Sequence, residues 1–101
     1  MTGTARIEAA LIRVIEDVGS EYDGLLQQRG LRMESPKVSV LRHEAPSYSS
    51  EIQIDIIQIG SGQLIDRLEF FAFEGGKPQV TDEELRVWLI EQFSALAKEQ
   101  P

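Results

Sequence analysis

The most regular pattern in the chain lies between Glu51 and Gly76. Ile52, Ile54 and Ile56 alternate with Gln53 and Asp55. A period of two marks a half-buried strand, and the β-branched content agrees. Gly60-Ser61-Gly62 supplies residues that tolerate positive φ in a hairpin turn. Leu64 to Phe73 reads as the return strand. With Ile59 facing Gln63, the register sets Ile57 against Ile65, Asp55 against Arg67, Ile54 against Leu68 and Ile52 against Phe70. Opposite charges meet and apolar side chains meet, as cross-strand neighbours should. A slip of one residue would set Ile54 against Glu69 and Asp55 against Leu68.

Helical spacing flanks this hairpin on both sides. From Thr4 to about Arg29, Ile7, Leu11, Val14, Val18 and Leu25 recur at intervals of three, four or seven. Ile12, Ile15, Tyr22 and Leu26 widen the stripe. Gly19-Ser20 is a point where the helix is expected to bend or restart, and Gly30 suits its C-terminal cap. At the other end, Thr81 and Glu84 form a capping box. Leu85, Trp88, Leu89, Phe93 and Leu96 follow as a buried stripe, with Val87 and Ile90 on its flank.

Between the first helix and the hairpin, Leu31 to Lys37 reads as a connector, because Ser35-Pro36 biases it away from helix. Val38 to His43 reads as a strand and Ala45 to Ser50 as a loop. The expected fold is therefore α+β in the order α-β-β-β-α. It is a three-stranded antiparallel meander with two helices packed on one face, a two-layer sandwich in a single domain over residues 1–101.

The register raises a question about the second face of the sheet. Ile57, Ile59, Ile65, Phe71 and Phe73 fall there, with Leu41 from the first strand, beside Gln53, Asp55, Arg67 and Glu69. A solvated sheet face is mostly polar. A face about half apolar is expected to be an interface, and the six apolar residues are its predicted members.

Composition narrows the chemistry. The 42% hydrophobic content fits a folded globule. The chain has no Cys, which excludes thiol catalysis and Cys-ligated zinc, and one His, His43, which excludes a His cluster. No metal or cofactor is expected. The net charge is −7, with no basic patch of the kind that neutralises phosphates, so nucleic acid is not an expected partner. The N-terminal apolar residues are broken by charge, which argues against a signal peptide or membrane span. The bacterial cytoplasm is the default expectation. His43, Asp55, Arg67 and Glu69 are the candidate ligand-binding groups on the second face.

Two functional expectations follow. The first is a non-catalytic protein-interaction module, a homodimer through the second sheet face, in one version an acidic neutraliser of a basic protein. The second is a small-molecule binder or small enzyme, its pocket over the same face and lined by those four polar residues.

Overall fold

The computed structural model describes residues 3–98. Its elements are α1 (Gly3–Gln28), β1 (Leu31–Met33), β2 (Lys37–Arg42), β3 (Ser49–Gln58), β4 (Leu64–Glu74), β5 (Lys77–Pro78) and α2 (Asp82–Lys98). The fold is α+β, with both helices packed over one face of an antiparallel sheet. The sheet has five strands rather than three. The two additional strands were too short to show a period: β1 is three residues and β5 is two.

The strand β3 explains why β1 exists. It is ten residues long, and β2 pairs only with its first half, Ser49 to Gln53. Backbone groups of its second half also need partners, and β1 supplies them at Ile56, Ile57 and Gln58. The two short strands thus lie end to end along one edge of β3. The Glu34 N–H donates to the Asp55 carbonyl at 2.8 Å between them, and Ser35-Pro36 makes the step.

The hairpin register holds where charges and apolar residues paired: Asp55 with Arg67, Ile54 with Leu68, Ile52 with Phe70. It departs at both ends, because a bulge sits at each. Ile57 faces Leu64, not Ile65. At the other end Ser50 faces Phe73 while Glu51 faces Phe71, so Ala72 is the extra residue. A bulge of one residue carries everything beyond it to the other face. Phe73 therefore lies in the core, 2% exposed, and is no member of an outer interface. Its ring meets Tyr48 edge-on at 5.7 Å between centroids.

The core lies between the helices and this inner face. Ile52, Ile54, Ile56, Leu68, Ala72 and Phe73 meet Leu11, Val14, Ile15, Val18 and Leu26 from α1, and Leu85, Leu89, Phe93 and Leu96 from α2. The buried side of α1 is centred on Leu11, Ile15, Val18 and Leu26; Leu25 is exposed. The helix runs through Gly19-Ser20 without a break. Gly19 serves close packing instead: a Cβ there would collide with the Met33 side chain of β1. Gly30 ends the helix at φ 73°. The capping box of α2 forms, with Thr81 N–H bonded to Glu84 Oε1 at 2.9 Å and Glu84 N–H to Thr81 Oγ1 at 3.1 Å. Tyr22 ties the helices together, its ring 5.9 Å from Phe93 and its hydroxyl 3.1 Å from Ser94 Oγ.

The loop residue Tyr48 is partly buried. Its hydroxyl donates to Glu8 Oε2 at 2.8 Å. Burial first, then the Glu8 carboxylate, raises the phenol above its ordinary range.

Candidate functional site

The helix-free face of the sheet is built from the residues of β3 that alternate with the core isoleucines. Glu51, Gln53, Asp55 and Ile57 point there, with their partners Phe71, Glu69, Arg67 and Leu64 on β4 and Ser39, Lys37 and Arg32 on the other side. The centre is a ladder of polar pairs. Arg67 Nε donates to Asp55 Oδ1 at 2.7 Å and Arg67 Nη2 to Asp55 Oδ2 at 3.3 Å. This two-point bond holds the Asp55 carboxyl below its usual range. Gln53 Nε2 donates to Glu51 Oε1 at 2.9 Å and to Glu69 Oε2 at 3.3 Å. Arg32 and Glu34 pair at 3.4 Å.

The four candidate polar residues do not converge. Asp55 and Arg67 satisfy each other, and Glu69 is hydrogen-bonded instead by the Gln53 amide, whose other bond goes to Glu51. His43 lies beyond the end of β2, where Arg42 faces Ser49. Asp55 lies six residue steps along the strand from Ser49, about 20 Å at the rise of an extended chain. His43 and Asp55 are therefore too far apart to act as an acid–base pair. His43 instead lines a shallow cleft with Leu41, Arg42, Glu44 and Ser47.

The apolar residues divide as well. Ile59 and Ile65 sit at the hairpin tip and are about half exposed. Ile57, next to them, is nearly buried but stands apart from the helix-covered core. Leu41 and Phe71, 55% and 39% exposed, lie toward the opposite end. The Asp55–Arg67 pair separates the two groups. Of the six apolar residues expected at an interface, Leu41, Ile59, Ile65 and Phe71 are exposed, Ile57 is 8% exposed, and Phe73 lies in the core. Sequence reasoning passed over Leu64, which faces Ile57 and is also about half exposed.

Two further features escaped it. On the helix side, a cleft of about 280 Å³ opens between α2 and the end of the sheet, lined by Phe70, Val80, Leu85 and Trp88 with Gln79 and Glu84. Trp88 and Phe70 meet edge-on at 5.6 Å, which makes this cleft a shallow extension of the core. The second feature is β2. Val38 and Val40 face Ile52 and Ser50 of the inner face, yet they are 36% and 37% exposed. They lie where the sheet extends beyond the helix-covered core cluster.

Among the described residues no group of three or more His, Asp or Glu is placed to hold a metal ion, and no helix is long and apolar enough to cross a membrane. Compared with protein-family models, curated proteins and solved structures, the chain finds no match. Fold and surface define an acidic α+β module with one layer of helices and one open face of sheet.

The ion pair makes a modest prediction. Asp55→Asn is expected to lower stability slightly at neutral pH, because the pair is partly exposed and screened by salt. The folded-state pKa of Asp55 is depressed, so its contribution is present above the unfolded value of about 3.9 and lost as pH falls through the lower folded value. Denaturant titrations of both proteins should converge as the pH drops below that range. A gap that widens in acid would contradict the assignment.

Proposed function

We propose that this protein is a non-catalytic protein-interaction module that works in the bacterial cytoplasm and self-associates through its sheet. The observation that supports this reading most is the open face: both helices lie on one side, and the other side displays Phe71, Ile59, Ile65 and Leu41 to solvent. Shape agrees. The radius of gyration is 14.5 Å, against about 13 Å for a compact chain of this length. The accessible surface is 6428 Å², where a compact monomer of this size would have about 5,700 Å². An acidic exterior suits a basic protein as a further partner, and α2 carries the acidic side chains Asp82, Glu83, Glu84 and Glu91. The pocket reading has less support, since none of the clefts described above is lined by Asp55, Arg67 or Glu69.

Sedimentation equilibrium at micromolar concentration tests the proposal. A dimer mass is expected, and a monomer mass overturns it. The double change Val87→Ser with Ile90→Ser, on the exposed flank of α2, is expected to leave that mass unaltered. Dissociation of this variant would move the contact from the sheet to the helices.

A further inference from the structure

The outer edge of β2 is open. The strand pairs only with β3, and no strand among the described residues lies on its other side. Which of its backbone groups face outward follows from the hydrogen-bond phase. The Asp55 carbonyl accepts from Glu34 N–H, and Ile59 N–H donates to the Gly30 carbonyl, both toward the β1/β2 side. Gln58 N–H donates to the Gln63 carbonyl, toward β4. Odd residues of β3 therefore direct their backbone groups to β2, and the opposite residues Lys37 and Ser39 spend theirs on β3. Val38 and Val40 direct both N–H and C=O to the open edge. The bulge between Val40 and Arg42 returns Arg42 to β3 opposite Ser49, so the free stretch ends there. Pro36 closes the other end, having no N–H.

The geometry points to a second copy of this chain as the occupant of that edge, joined antiparallel strand to strand about a two-fold axis at Ser39. This inference rests on the self-association reading and moves the contact from the open face to the edge. Three even-numbered registers are in phase. Centring on Ser39 sets Val38 against the partner's Val40 and Val40 against the partner's Val38, so that all four free N–H groups and all four free carbonyls of the two copies are paired. Centring on Val38 sets Val40 against a proline and leaves two carbonyls without a donor. Centring on Val40 sets Val38 against an arginine whose backbone is already engaged. The odd register that would bring Lys37 against Arg42 is out of phase and also repulsive. In the favoured register Lys37 lies opposite Leu41 instead.

Side chains support the same choice. The valines that the helices leave exposed meet as two cross-strand pairs on the helix side, the kind of β-branched contact that stabilises neighbouring strands. The result is one continuous sheet of ten strands, with all four helices on one side. Its open face, carrying Phe71 and the Asp55–Arg67 pair from each copy, becomes a single broad platform.

The absence of cysteine gives a direct test. In the proposed dimer the two Ser39 residues face each other at a non-hydrogen-bonded position, with Cα atoms about 4.5 Å apart, within disulfide reach. Ser39→Cys is expected to yield a reducible covalent dimer on mild oxidation, while Val38→Cys and Val40→Cys do not. Val40→Pro removes only an outward N–H, a change edge strands tolerate. It is expected to weaken the dimer roughly tenfold or more as two hydrogen bonds are lost, with the circular dichroism spectrum retained. A wild-type dimer whose Ser39→Cys form fails to cross-link overturns the edge contact and leaves self-association standing. A wild-type monomer overturns both. Cross-linking through position 38 or 40 in place of 39 overturns the register.

Discussion

Phe73→Ala should destabilise the folded chain by about 3–5 kcal/mol, the cost of truncating a buried phenylalanine. Phe71→Ala, two residues away, should cost no more than about 1 kcal/mol, as exposed positions do. The contrast is the consequence of a single extra residue. By simple alternation the two rings would share a face. The bulge at Ala72 turns Phe73 inward, opposite the buried Ser50, and leaves Phe71 on the open side at 39% exposure. Inside, the Phe73 ring packs against Tyr48, and its loss would leave a cavity where the loop before β3 is seated. Urea unfolding of the two variants measures the difference. Equal costs would mean that the bulge is misplaced. A Phe73→Ala protein of unchanged stability but altered mass would restore it to an interface.

Gly76→Ala should be the second most damaging change, at about 2–5 kcal/mol. Gly75 and Gly76 form the turn between β4 and β5 with φ of 61° and 77°. An L-residue in that region costs about 1–2 kcal/mol, and this much applies to both glycines. They differ in what a Cβ would meet. At Gly75 nothing stands within 4 Å, whereas at Gly76 a Cβ would run into the Pro46 carbonyl oxygen. A backbone oxygen cannot swing aside as a side chain can, so overpacking adds roughly 1–3 kcal/mol. The same glycine donates its N–H to the Tyr48 carbonyl at 2.7 Å. Displacing it would disturb the loop that places Tyr48 over Phe73 and against Glu8. Gly75→Ala is the matched control, and equal midpoints for the two alanine variants would refute the contact with Pro46.

Both predictions concern features that alternation does not reveal. The hairpin register was legible because Asp55–Arg67, Ile54–Leu68 and Ile52–Phe70 each supply a pairwise reason for it. Bulges carry no such signal: Ile65 and Ala72 look like ordinary strand residues. The candidate site was legible in parts. Asp55, Arg67 and Glu69 do share the open face, since the period of two places them there. The strand before His43 is indeed the neighbour of β3, but position along that strand sets His43 about 20 Å from Asp55. The open edge of β2 was not legible at all, because it depends on which strand stops where.

The sequence by itself determined the two helices with their caps, the central hairpin and its main register, and the absence of thiol chemistry. These are local properties, or pairings that a single turn brings together. The tertiary structure alone decided three things. It placed β1 and β2 end to end on β3, since a ten-residue strand needs partners along its whole length. It sent Phe73 inward, since a bulge inverts the faces beyond it. It left Val38 and Val40 uncovered, since how far two helices reach over a sheet depends on how the whole chain packs and on no residue of β2 itself.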